Sequence, residues 1–187
     1  MTILDARKTD PYHGGKTFSL KNRLYRGLWE IVWMTLGIWT PRPLISWRRF
    51  LLRLFGAKLH PTAVINAGVR VWSPQNLEMA EYSCLGPGVI CYSMAPISLG
   101  PYALVSQRAH LCAGTHDITD SYFQLQAFPI HIGEKAWVAA EAFVGPGVTI
   151  GARTVLGARG VTFKSLPPDE VYAGNPARFI KPRHIVS

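Results

Sequence analysis

Aliphatic side chains recur at every sixth position along most of the chain. Leu59, Ile65, Val71 and Leu77 form one run, Leu85 and Cys91 a second, Leu99, Val105 and Leu111 a third, and Ile132, Val138, Val144, Ile150 and Leu156 a fourth. These runs make 14 hexads, and the fifth place is Ala, Val or Thr in 11 of them, the exceptions being Gln75, Glu81 and Gly160. A period of six matches neither the 3.6-residue turn of a helix nor the two-residue alternation of a strand. It fits a short strand followed by a corner. If every sixth side chain points inward beside a small one, three hexads close a triangular coil, and coils stack at about 4.8 Å. The chain therefore reads as mainly β, a parallel β-helix of between four and five coils, with glycines serving corners that need unusual backbone angles.

The metre fails once at length. PISLG starting at Pro96 returns as PIHIG starting at Pro129, an interval that exceeds one three-hexad coil by just the span 117–131. Residues 117–131 are therefore expected as a loop inserted into an intact solenoid of residues 59–163. Ahead of it, residues 1–58 form a basic segment, and 164–187 form a C-terminal tail. Within the first segment, residues 18–55 read as two amphipathic helices rich in Trp, Leu and Arg, separated by TPRP, where prolines break the pattern. Ile31 to Trp39 is too short an apolar stretch to cross a bilayer. The helices must lie on something, and two surfaces qualify: the open first coil, which needs a cap, and the inner face of a membrane, as a peripheral contact.

Length and composition fit one domain with a real core: 187 residues, 48% hydrophobic, with 17 Gly and 14 Pro spread without a collagen triplet. The net charge of +9 is uneven. Residues 1–58 carry +8, residues 59–163 carry −1 and residues 164–187 carry +2. A near-neutral middle without a nucleic-acid motif argues against DNA or RNA as partner and favours an anionic membrane face or a phosphorylated ligand. Cys84, Cys91 and Cys112 form no CxxC pair, and the N-terminus shows no secretory signal, so a cytoplasmic location is expected.

A smooth prism offers no cleft, so chemistry needs the projecting loop. His116 is the last residue before it, at a corner from which its side chain can face outward. A neutral imidazole there could act as general base, a role worth about 10²- to 10⁴-fold in rate. Asp117 could orient that ring or cap a turn, and a backbone carbonyl could orient it instead. His110 and His131 raise the alternative of a three-histidine zinc site, but residues six apart fall on adjacent sides of a coil and diverge, so no metal is expected.

The five unbroken hexads IGEKAW, VAAEAF, VGPGVT, IGARTV and LGARGV, followed by LPPDEVYAGNPARFIKPR, resemble the hexapeptide-repeat acyltransferases with a left-handed β-helix. The blocks WRRFLLRLFGAKL and NLEMAEYSCLGPGVICYSMAPISLG and the THD loop are most similar to colanic acid biosynthesis acetyltransferases, and the likeness runs from Phe18 onward. The resemblance implies a homotrimer with active sites between subunits, acetyl-coenzyme A as acyl donor, and His116 as general base. It also implies that backbone groups at Ala140 and Ala158, with Trp137 nearby, flank the coenzyme arm, and that Lys164, Arg178, Lys181 and Arg183 contact its phosphates. Phe163 stands where the resemblance implies a small polar residue. The acceptor so implied is a sugar hydroxyl of an exopolysaccharide repeat unit carried on a lipid. Acetylation of a free sugar, serine or antibiotic is the alternative, and a non-catalytic trimeric scaffold is the alternative of another class.

Overall fold

The structure, a computed structural model, describes residues 3–184; the first two residues of the N-terminal segment and the last three of the tail lie outside the described residues. Short strands stack into three parallel sheets that form the walls of a prism. Sheet one contains Lys58–Leu59, Leu77–Met79, Ile97–Leu99, Ile130–Ile132 and Thr149–Ile150. Sheet two contains Val64–Ile65, Cys84–Leu85, Leu104–Val105, Trp137–Val138, Val155–Leu156 and Glu170–Ala173, with Arg178–Pro182 added antiparallel at its end. Sheet three contains Arg70–Val71, Ile90–Tyr92, His110–Cys112, Phe143–Val144 and Val161–Thr162. Ile65, Leu85, Val105, Val138 and Leu156 stack in the interior with no exposed surface, and Ala63, Ala103, Ala109 and Ala142 fill the room beside such leaders.

Three features depart from the expected metre. Lys58 pairs with Glu78 and Glu78 with Ser98, so each of the first coils is longer than three hexads by a pair of residues. The surplus sits at the corner between sheets three and one, where Pro74–Asn76 makes a 3-10 turn. Ser93 Oγ bonds the Ser73 carbonyl and accepts from its N–H, and Asn76 Nδ2 donates to the Ser93 and Met94 carbonyls, so the wider corner leaves these backbone groups satisfied. Met79 is consequently the leader of its rung, and Leu77 takes the place expected for a small residue, as Ile97 and Ile130 do in the next two rungs.

The excursion is also differently bounded. It is an antiparallel hairpin of Gly114–His116 against Leu125–Ala127, while Ile130–Ile132 is already back in sheet one. The expected loop 117–131 thus starts too late and ends too late. At the far end Leu166 bridges to Ile150 and Val171 pairs with Val155, a shorter step that hides this last rung from a six-residue count. Sheet two therefore has six parallel rungs, more than four to five coils allow, and the first part of the tail belongs to the solenoid.

Glycine fills fewer corners than expected. Tyr82, Tyr102, Arg108, Lys135, Glu141, Arg153, Arg159 and Asp169 all take left-handed backbone angles. Contacts between coils offset that strain. Tyr82 stacks on Tyr102, Glu141 bridges Arg108 and Arg159, and Arg153 forks onto Asp169 at 2.5 and 2.7 Å.

Before the prism, among the described residues, come three α-helices, α1 (Ala6–Thr9), α2 (Leu20–Leu36) and α3 (Ile45–Leu54). Ser19 caps α2 by accepting from the Asn22 N–H. Among the described residues no helix is long and apolar enough to cross a membrane. The inner sides of α2 and α3 close the first coil by direct hydrogen bonding. Inside the solenoid the carbonyls of Met79, Ser83, Leu85, Val89 and Cys91 accept from N–H groups one coil earlier. Their counterparts in the first coil, Leu59, Ala63, Ile65, Val69 and Val71, have no earlier coil. Arg53, Arg49, Arg48, Trp33 and Trp29 donate to these five carbonyls in that order. The two tryptophan bonds are 2.7 and 2.8 Å, and the rings stack 5.0 Å apart. Arg48 is fully buried, and its guanidinium reaches the carbonyls of Thr40 and Pro41 as well.

Trp29→Phe and Trp33→Phe, which keep an aromatic ring but lose the donor, should each lower unfolding free energy by about 1–3 kcal/mol, because a buried carbonyl is stranded. Urea unfolding of each variant checks this, with Arg48→Met expected to cost more than either. Equal midpoints for wild type and both tryptophan variants would mean that the cap acts through packing alone.

Candidate active site

The hairpin that leaves the solenoid after Cys112 carries His116 at the end of its first strand. Two Asx turns return the chain: Asp117 accepts from the Thr119 N–H and hydroxyl at 2.9 and 2.6 Å, and Asp120 accepts from the Tyr122 N–H. Their closure carries Phe123 back beside His116. The His116 ring stacks on Phe123, with centroids 4.3 Å apart and planes within 15°, and Nδ1 lies 2.8 Å from the Phe123 carbonyl. A carbonyl only accepts, so Nδ1 carries the proton, and in the neutral ring Nε2 presents its lone pair to the exposed side.

Asp117 does not orient the ring. Its second oxygen accepts from Gln126 Nε2 at 3.3 Å, so both oxygens are engaged within the hairpin. The Thr119 hydroxyl and N–H hold this carboxyl below the ordinary aspartate range. Of the alternatives open from sequence, the structure supports the turn-building one, with a backbone carbonyl orienting the imidazole. The expectation that Asp117 is catalytic is corrected accordingly.

The other histidines do not converge on His116. His110 lies on sheet three against Phe143, 5.2 Å between centroids, and burial lowers its pKa. His131 faces out from sheet one and meets Ser98 Oγ at 2.7 Å. Among the described residues no group of three or more His, Cys, Asp or Glu could hold a metal ion. Burial raises the pKa of Cys112, and its thiol donates to the Gly114 carbonyl, so it is a poor nucleophile.

The residues expected around the coenzyme fall on different edges of the prism. Ala140 and Ala158 lie at successive corners between sheets two and three, stacked so that Arg159 N–H donates to the Ala140 carbonyl. Their own N–H groups have no partner among the described residues. Trp137 points out from sheet two, half exposed, with Nε1 bonded to Ser106 Oγ at 2.8 Å. Arg178 pairs with Ala173 at the end of the same sheet and is exposed. Lys164 is exposed at the edge from which the hairpin departs, just after sheet three. Arg183 does not join them. Its guanidinium is clipped to the carbonyls of Lys135 and Arg153 at 3.2 and 2.7 Å, on the edge between sheets one and two, so its assignment to the coenzyme is corrected to a structural one. Lys181 is exposed in the final strand.

No protein-family model matches the chain. Over 168 residues, 90% of this chain and 92% of the relative, it is 44% identical to the Escherichia coli (strain K12) protein WcaF, named for colanic acid biosynthesis acetyltransferase. The chain belongs to the hexapeptide-repeat acetyltransferases, in the colanic acid biosynthesis family. It is 32% identical over 88 residues to the galactoside O-acetyltransferase of Escherichia coli (strain K12), a match covering 46% of this chain and 43% of that one. Among solved structures, the hexapeptide-repeat acetyltransferase VCA0836 of Vibrio cholerae, complexed with acetyl-coenzyme A, has a TM-score of 0.78 at 21% identity over 97% of this chain and 100% of that one. A galactoside acetyltransferase in complex with coenzyme A has a TM-score of 0.76 at 19% identity, covering 97% and 92%. The shared fold is the left-handed β-helix.

Several residues around His116 in this acetyltransferase escaped the sequence reading. Phe123 supplies both the face and the carbonyl for His116. Gln124 ties the hairpin to the N-terminal segment, accepting from the Ala6 N–H at 2.6 Å and donating to the Leu4 carbonyl. At the hairpin's foot Tyr92 lies edge-on to Trp72, over which Arg26 stacks at 4.0 Å. The spacing of Asp117 and Asp120, each two residues before its backbone donor, was the available signal for a tight return. Nothing in sequence announced a contact 118 residues away.

The lowered Asp117 pKa gives a pH expectation. A carboxyl whose folded pKa is depressed stabilises above its ordinary value, near 3.8, and that contribution is lost as pH falls through the lower folded value. Hairpin order should therefore persist at pH 5 and decline only below the ordinary aspartate range. Exchange protection of the Thr119 amide followed by NMR checks this; loss of protection already between pH 7 and 5 would contradict it.

Proposed function

We propose that this acetyltransferase moves the acetyl group of acetyl-coenzyme A to a hydroxyl on a sugar of an exopolysaccharide repeat unit of colanic acid type, with His116 as general base. The observation that carries the reading is the commitment of His116 Nδ1 to the Phe123 carbonyl, which leaves Nε2 free on the exposed side of the hairpin. Nε2 takes the hydroxyl proton as the sugar oxygen attacks the thioester carbonyl. The carbon–sulfur bond then breaks, and the leaving thiolate recovers the proton from the imidazolium. The products are an acetyl ester and free coenzyme A. A backbone N–H stabilises the oxyanion between these steps, and no protein nucleophile is needed.

The donor arm lies along the corners at Ala140 and Ala158, whose unpartnered N–H groups suit its amides, with Arg178 and Lys164 toward the phosphates. Within one chain these corners and the His116 hairpin occupy different edges of the prism, so the complete site forms between two copies of a homotrimer. The acetyl-coenzyme A and coenzyme A complexes of the solved relatives support the donor, and the family name of the curated relative supports the acceptor class. We place the enzyme in the cytoplasm.

His116→Ala should reduce turnover about 10²- to 10⁴-fold with little change in KM for acetyl-coenzyme A. Asp117→Asn, which keeps an acceptor for the turn, should retain more than about a tenth of the rate, since it does not touch the imidazole. Thiol release from acetyl-coenzyme A in the presence of a hydroxylated saccharide acceptor measures both, and an unchanged rate in His116→Ala would remove the general base from this reading.

A further inference from the structure

α2 is apolar on two opposite faces, and only one of them is used by the prism. Trp29 and Trp33 point into the first coil. At 100° per residue, Leu20, Leu24, Leu28, Ile31 and Met34 centre on the direction facing away from those tryptophans. All five are 57–65% exposed. The surface continues past the helix. Trp39, 67% exposed, bonds the Thr35 carbonyl; Trp47 of α3 bonds the Leu36 carbonyl and stacks on Phe50, which is itself exposed. A helix that only capped a solenoid would carry polar residues here. Single exposed leucines are ordinary, but a stripe this long on one helix face is not.

The flanks say what covers it. Lys21 and Arg23 border the stripe on its two sides, Arg42 lies exposed between α2 and α3, and Glu30 is the only acid in α2 and α3. We infer that this face docks on an anionic membrane surface, with α2 lying flat, its aliphatic side chains among the acyl chains and the basic residues at the headgroups. A second copy of the chain is the poorer occupant, because each copy brings the same basic segment, +8 over residues 1–58, to the contact. An anionic bilayer complements both features at once, and Trp39 and Trp47, with their N–H groups already satisfied by backbone carbonyls, suit the interfacial depth. α2 spans about 25 Å, enough to lie in the interface, and it is not apolar enough to cross the bilayer. Docking of this kind is independent of the acyl donor and acceptor.

Vesicle co-sedimentation of the full-length protein tests it, with phosphatidylcholine vesicles containing about 30% phosphatidylglycerol against pure phosphatidylcholine vesicles. Binding should require the anionic lipid and weaken with salt. The triple variant Leu24→Gln, Leu28→Gln, Ile31→Gln should lose at least about tenfold in partitioning, and Lys21→Gln should lose about fivefold, both with little change in thermal midpoint because these side chains are largely exposed. Absence of wild-type binding, or full retention by the triple variant, overturns the inference. So does a triple variant whose subunit stoichiometry changes in light scattering, since that outcome assigns the stripe to contact between copies. Thiol-release activity measured without lipid should be the same in wild type and triple variant, which separates this test from that of the catalytic reading.

Discussion

A coil of parallel strands cannot begin without leaving a row of backbone carbonyls unpaired, and the inward side of the N-terminal helices follows from that constraint. The five first-coil carbonyls from Leu59 to Val71 recur one coil later as Met79 to Cys91, where each accepts a backbone N–H. At the open end three arginines and two tryptophans stand in for a missing coil. Stranding a buried carbonyl costs about 1–3 kcal/mol, and the same row left open is a template for pairing with another chain. Arg48 shows how strong the demand is. A fully buried guanidinium is held without a carboxylate partner among its hydrogen bonds, because four carbonyl or hydroxyl oxygens converge on it.

The prism itself was legible because its interior admits so little. A leader such as Val105 and a neighbour such as Ala103 must fit a narrow triangular section, and that requirement prints a six-residue period on the chain. The period misleads only where the section changes. At Leu77 two extra corner residues shift the phase, so a large residue fills the small residue's place and Met79 leads. Near the C-terminus a corner two residues shorter does the opposite and conceals the rung at Glu170–Ala173. Corner glycines were over-read for a related reason. A left-handed residue such as Glu141 is tolerated where its side chain gains partners in the coils on both sides, here Arg108 and Arg159.

The site was legible in part. His116 could be singled out because it stands where the metre breaks, but its partner could not, since Phe123 reaches it through the geometry of two turns and not through any spacing in the repeat. Asp117 shows the same limit from the other side. Adjacent to a histidine, an aspartate suggests a charge that orients the ring; in the hairpin its oxygens are consumed by Thr119 and Gln126. Arg183 was expected at the coenzyme phosphates, although the end of the last strand turns it onto two carbonyls of an edge remote from Ala140 and Ala158.

The N-terminal segment answers two demands with one set of helices, and this resolves why it is so rich in Trp, Leu and Arg. Residues that face the prism, Trp29, Trp33, Arg48, Arg49 and Arg53, are accounted for by the carbonyl row. The outward leucines, Ile31 and Met34 are not, for they make no contribution to closing the coil. Sequence read these helices as amphipathic but could not divide the two groups, because α2 carries apolar residues on opposite faces and either could be the one that meets the prism. Once the cap has fixed which way α2 faces, the direction of the unpaired stripe is fixed too. The cap therefore orients whatever covers the stripe relative to the hairpin, and Gln124, which joins the hairpin to the segment leading into α2, makes that relation a direct one.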